Sequence, residues 1–270
     1  MPVAKVQDAD IHYKVFGQGP AFLFIAATAW HGRPWELYQV PEFARDHRVI
    51  VYDQRGTGAS KAVRSSDFST RRLVEDAVAV LDDAGVKSAI VCGHSNGGRV
   101  AQLLAMDFPD RVEKLILASA GATHRSKGVP IGMCLELVEK GYEAHIRNGA
   151  IRTGCTAAFY AANRDKVEDF LKVRMADLPT LETYLGHVVG RTESDTSSRL
   201  KEIKVPTLVM VGEDEDHGSA SGDTHLHFAK ILSRDIPNAK FVMFPGEGHH
   251  YPFYSPETTN KAIREFLAAS

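Results

Sequence analysis

Six short stretches of the chain are apolar at most positions and read as strands: residues 21–26, 48–52, 88–92, 112–119, 207–211 and 240–244. Several, such as Ala21-Phe22-Leu23-Phe24-Ile25-Ala26, lack the alternation of a half-exposed strand, which predicts a sheet covered on both faces. Residues 3–16 predict two further short strands around a turn at Asp8-Ala9-Asp10, and a short helix is expected near Glu36. Between the strands the period changes to 3.6. Residues 69–84 place Leu73, Ala77, Val80, Leu81 and Ala84 on one stripe, and Gly85 ends that helix. Residues 97–108 form a second helix, stopped before Pro109, and 225–233 a third. The last helix starts with Ser255 as N-cap and Pro256 in the first turn, with Ala262, Ile263, Phe266 and Leu267 on one face. Strands alternating with helices require a mostly parallel, doubly wound α/β sheet of about eight strands.

The alternation breaks between residues 122 and 203. Helical segments are expected there at 132–141, 142–149, 156–162, 164–176 and 181–189, with no strand pairs. The predicted organisation is therefore a core made of residues 1–121 and 204–270, carrying a helical cap at 122–203.

Composition narrows the function classes. A chain of 270 residues that is 44% hydrophobic can bury a large core. Its formal net charge of −2, with no basic run, gives no reason to expect a nucleic-acid or anionic-membrane partner. No stretch has the length of a membrane span or the look of a signal peptide, so a cytoplasmic protein is expected. Cys92, Cys134 and Cys155 are too few and too widely spaced for a disulfide framework or a zinc ribbon, and Cys92 reads as a packed thiol. His217, His225 and His227 suggest a metal site with Asp214, but 225 and 227 fall on different faces of a helix, so neither metal nor cofactor is expected.

The chemistry concentrates in Gly93-His94-Ser95-Asn96-Gly97, where a strand runs directly into a helix. A serine at the tip of so tight a turn is strained. Glycines two residues to either side allow the close approach, and the hydroxyl stands beside a helix N-terminus that favours negative charge. Serine needs a base, and the base an orienting acid. Loops at the C-terminal ends of later strands offer both: Glu213-Asp214-Glu215-Asp216-His217 and Pro245-Gly246-Glu247-Gly248-His249-His250.

With these pieces in order, the chain resembles the α/β-hydrolase family. The matching segments are Gly93-His94-Ser95-Asn96-Gly97, Asp53-Gln54-Arg55-Gly56-Thr57-Gly58, Pro206-Thr207-Leu208-Val209-Met210-Val211-Gly212 and Gly246-Glu247-Gly248-His249. The resemblance runs from about residue 10 to 268, leaving the helical insertion without a clear counterpart. It implies Ser95 as nucleophile and His249 as general base, with His250 the alternative. It implies an acid at 214–216: Asp216 after a one-residue insertion, otherwise Glu215 or Asp214. It implies an oxyanion hole from the backbone N–H of Asn96 and of Thr28. The family's usual His-Gly is replaced by Ala26-Ala27, and His31-Gly32 comes five residues late. The Thr28 hydroxyl is expected in a local turn bond. His94 is expected to pack, and Asp53 and Arg55 to fix their own turn. Trp30, Met133, Phe159 and Tyr160 are candidate pocket residues. Arg99, Arg152 and Arg191 are cations able to meet a substrate carboxylate, although solvation at the surface is their default role.

These residues imply a serine hydrolase of the carboxylesterase or lactonase type, acting on a small-molecule ester, lactone or amide. The same triad on this fold also serves C–C bond hydrolases, lyases, cofactor-free oxygenases and acyltransferases, and some members of the fold only bind ligands. Oligomeric state is not encoded in any motif of the chain.

Overall fold

The apolar runs lie side by side in one sheet. A computed structural model describes residues 1–64, 66–123, 128–213 and 224–269. Among the described residues there are nine strands: β1 Val3–Val6, β2 Ala9–Phe16, β3 Ala21–Ile25, β4 Arg48–Tyr52, β5 Lys61–Ala62, β6 Ala89–His94, β7 Val112–Ala118, β8 Thr207–Gly212 and β9 Lys240–Phe244. Their spatial order is β1-β2-β4-β3-β6-β7-β8-β9, with β5 beside β2. Every pairing from β4 to β9 is parallel, whereas β2 is antiparallel to β1, β4 and β5. The two-residue β5 is too short to leave a periodic signal in the sequence.

Alternation along each buried strand divides the core in two. Leu23, Ile25, Ile50, Val91, Leu115, Leu117, Val209 and Val211 face the helices Thr70–Asp83, Asn96–Asp107 and His225–Asp235. Phe22, Phe24, Val49, Val51, Ile90, Cys92, Ile116, Leu208 and Met210 face the helices Gln39–Phe43 and Pro256–Ala268. Both neighbours in each run are thus apolar because both faces are covered. Full burial of one such Leu or Ile stabilises the fold by roughly 1.5–3 kcal/mol. Cys92 is among them, and burial raises its thiol pKa far above the usual range.

The helix Thr70–Asp83 starts where Ser69 Oγ accepts from Arg72 N at 3.3 Å, and the chain leaves it through Gly85 at φ 65°. The final helix is Pro256–Ala268, but Ser255 makes no side-chain cap; its hydroxyl donates to Glu247 Oε1 at 2.5 Å instead. β6 extends to His94, beyond the apolar run, because its ladder with β7 continues through Gly93↔Leu117 and His94↔Ala118.

Between β7 and β8 the chain forms the helices Ile131–Lys140, Tyr142–Gly154, Ala157–Ala162, Arg164–Met175 and Leu181–Thr192, then a 3-10 turn at Ser197–Glu202. The helix Arg164–Met175 buries Val167, Phe170, Leu171 and Arg174 on one face. No helix among the described residues is long and apolar enough to cross a membrane.

Candidate active site

β6 delivers Ser95 at the point where the chain reverses into the helix Asn96–Asp107. Ser95 has φ 56° and ψ −120°, a conformation that costs a residue with a side chain of the order of 1–3 kcal/mol. Ser95 N–H donates to Ala118 O at 2.8 Å, which ties the turn to β7. A Cβ at Gly93 would lie 2.2 Å from Gly97 O, and one at Gly97 would lie 2.4 Å from the carbonyl oxygens of both Ala26 and Ile25. Glycine is required at both positions for strand, turn and helix to approach this closely. Asn96 is the first residue of the helix, so its N–H has no intrahelical acceptor.

Ser95 and His249 line one cavity of about 220 Å³. The backbone of His249 is fixed from three directions. Its N–H donates to Thr153 O at 2.9 Å, while its carbonyl lies 2.9 Å from His94 Nε2 and accepts from Ser119 Oγ at 3.3 Å. His94, fully buried against Trp30, Trp35 and Phe253, therefore packs as expected and also holds the following histidine loop. The His225 ring stands 4.5 Å from that of His249. His250 lines the same cavity but is wedged among Trp30, Phe170 and Tyr254, where burial, then the neighbouring His249, His94 and Arg174, drives its pKa well below the usual histidine range. The candidate acids Asp214, Glu215 and Asp216, and His217, lie outside the described residues.

The loop after β3 faces the elbow and is held from several sides. Gln54 Nε2 donates to Ala26 O at 2.9 Å, and Asp53 accepts from Gly32 N and Ala59 N, each at 2.8 Å. Asp53 therefore joins two loops rather than its own turn alone. Arg55 reaches further still, to Asp76 and Asp8. Ala29 takes φ 55°, and its carbonyl is 3.4 Å from Arg174 Nη2. Thr28 lines the cavity, but its hydroxyl makes no local turn bond: it accepts from Arg191 Nη1 at 3.2 Å. His31 is buried, and burial, reinforced by Arg174, pulls its pKa down to about 4.

Trp30 and Met133 also line the cavity. Phe159 and Tyr160 do not. Phe159 stacks against Tyr254 at 6.0 Å, and the Tyr160 hydroxyl donates to Glu168 at 3.0 Å, because the short helix Ala157–Ala162 turns that face toward its neighbours. Of the three arginines singled out, Arg191 lines the cavity, Arg99 lies behind it with Nη1 donating to Arg191 O at 2.7 Å, and Arg152 is an exposed partner of Glu136. Among the lining residues that escape the sequence patterns are His145, Tyr184 and Arg174. His145 bridges Glu136 at 2.9 Å and the Tyr184 hydroxyl at 3.1 Å. The signal for Arg174 is its place on the apolar stripe of Val167, Phe170 and Leu171, where an arginine is out of character.

Comparison with known proteins agrees with this fold. A family model described as alpha/beta hydrolase fold matches residues 20–143. A relative from Azorhizobium caulinodans, named "Putative carbamate hydrolase RutD", is 30% identical, covering 98% of both chains. The enol-lactonase from Burkholderia xenovorans LB400 superposes with a TM-score of 0.85 at 22% identity, covering 99% of this chain and 100% of that one. Est816, described as an N-acyl homoserine lactone degrading enzyme, gives a TM-score of 0.78 at 26% identity over 98% of this chain and 100% of that one. The sheet order, the serine elbow and a relative matched along nearly its whole length agree: this chain belongs to the α/β-hydrolase family.

Proposed function

We propose that the protein is a serine hydrolase of a small-molecule carboxylic ester, lactone, amide or carbamate, working through an acyl-enzyme on Ser95. The observation that carries this reading is the strained Ser95, at φ 56°, sharing one cavity with His249. His249 takes the Ser95 hydroxyl proton as Oγ attacks the carbonyl carbon. The N–H groups of Asn96 and Thr28 hold the resulting oxyanion, each contributing roughly 3 kcal/mol to the transition state. His249 then protonates the leaving group. Water, deprotonated by the same histidine, attacks the acyl carbon, releases the acid and returns the proton to Ser95. One carboxylate at 214–216 orients His249. Residues 122–203 act as the cap, since Met133, His145, Tyr184 and Arg191 come from them and complete the cavity wall. The carbamate class enters through the name of the Azorhizobium relative.

A turnover panel of esters, lactones, amides and carbamates tests the reading. Saturable hydrolysis of at least one class is expected, with KM in the ordinary range of about 1 μM to 1 mM. An absence of hydrolysis across all four classes would contradict it.

A further inference from the structure

Arg174 is 1% exposed, yet it borders the cavity that holds Ser95 and His249. Its guanidinium carbon stands 4.9 Å from the centre of the Trp30 ring, and Nη2 is 3.4 Å from Ala29 O. Its Nε and Nη1 are buried with no hydrogen-bond acceptor. Among the described residues, no carboxylate lies within 4 Å of Arg174 or Arg191, although most other arginines that are not fully solvated find one. The Tyr142 and Tyr184 hydroxyls stand near Arg174, and Tyr184 also near Arg191; burial raises the pKa of both phenols, so neither offers a counter-charge at neutral pH. Arg191 gives Nη1 to Thr28 Oγ and leaves Nε without an acceptor.

Such an arrangement is costly for the free protein. A desolvated guanidinium without its counter-charge is destabilising, and a buried donor without an acceptor adds to that cost. Burial pulls the pKa of Arg174 down only to about 10, so it keeps its proton at neutral pH. Two guanidiniums bordering the same cavity give it a positive wall; among the described residues no carboxylate pairs with either, and Glu136, bonded to His145 of that wall, pairs with Lys140 and Arg152 instead. Carboxylate oxygens match guanidinium donors in geometry and charge, and the contact strengthens as water is excluded.

We propose that the substrate carries a carboxylate in addition to the bond that is cleaved, and that Arg174, assisted by Arg191, binds it within the active-site cavity. This rests on the reading of Ser95 as the hydrolytic nucleophile. It narrows the substrate to the half-ester, acidic lactone or N-carboxyalkyl type. Loop 26–30 is anchored by the same two arginines, so an occupied carboxylate site also steadies the segment carrying Thr28.

The test compares p-nitrophenyl hydrogen glutarate with neutral p-nitrophenyl valerate on wild type, Arg174→Gln and Arg174→Lys. The wild type is expected to favour the acidic ester by at least about tenfold in kcat/KM, as for a site built to bind a polar group. Arg174→Gln is expected to bring that ratio close to one, and Arg174→Lys to restore part of it. A purely structural role for Arg174 would lower both substrates together and leave the ratio unchanged, which would overturn the proposal. A wild-type ratio near one would do the same. Calorimetric titration with glutarate separates this inference from the hydrolase reading. If neither ester is turned over, saturable glutarate binding that is weakened at least about tenfold in Arg174→Gln still supports the carboxylate site. No glutarate binding, or inorganic phosphate binding as tightly as glutarate, would overturn it. Arg191→Gln, tested by the same ratio, serves if Arg174→Gln does not fold.

Discussion

Replacing Ser95 by alanine is expected to lower kcat by at least about 10⁴-fold, because the residues of a nucleophile–base pair act as a unit. The fold should be unaffected. Ser95 is only half buried, and the change removes one hydroxyl while the elbow stays fixed by Gly93, Gly97 and the Ser95 N–H bond to Ala118 O. A thermal melt should move by no more than a few degrees, the shift that about 0.5–1 kcal/mol produces in a chain of this size. Steady-state kinetics beside a melting curve check both halves. Retained turnover in a properly folded variant would remove the serine from the mechanism.

The second large effect concerns stability. Arg55 and Asp76 are both fully buried and joined by two hydrogen bonds, Nε to Oδ2 at 2.8 Å and Nη2 to Oδ1 at 2.6 Å. Arg55 Nη1 also reaches Asp8 at 3.0 Å and the Asp67 carbonyl at 2.9 Å, and the Arg55 carbonyl lies 3.0 Å from His187 Nε2. One guanidinium thus ties the loop after β4 to the helix Thr70–Asp83 and to the turn between β1 and β2. Asp76→Ala removes the fully buried partner of that guanidinium, leaving it only the part-exposed Asp8, and should cost about 3–5 kcal/mol. Urea unfolding is expected to show a lower midpoint with an unchanged slope. Replacing the pair together, as Arg55→Met with Asp76→Leu, should recover much of the loss, because the large term is the buried charge deprived of its buried partner rather than the pair itself, and Asp8 is part-exposed and can be solvated. Equal losses in the single and double variants would contradict this account.

What could be read from the chain followed from how local each signal is. The elbow is legible because its cause is local: glycines are needed wherever a Cβ would come within 2.2–2.4 Å of backbone, and they stand at the spacing the turn dictates. The buried strands are legible because both of their faces are covered. The five helices between β7 and β8 are also legible, but which face of each turns toward Ser95 depends on how they pack. Met133 points into the cavity, whereas Phe159 and Tyr160 serve contacts among their neighbours. Arg55 looks like a turn residue in sequence because Asp76 and Asp8 are distant along the chain. The resemblance implies Thr28 as an oxyanion donor, but the bond from Arg191 to its hydroxyl spans 163 positions and leaves no local trace. Arg174 was masked by composition: a charged residue on a helix is normally solvated, and only the apolar company of Val167, Phe170 and Leu171 marks it as buried.

The decisive property of Ser95 is its nucleophilicity in the proposed hydrolytic site. Its most direct test is peptide mapping by mass spectrometry after exposure of the protein to a serine-directed phosphonate. A single adduct is expected on the peptide that carries Ser95, formed in step with loss of turnover. A catalytically active protein that forms no adduct, or one modified elsewhere while Ser95 stays free, would contradict it.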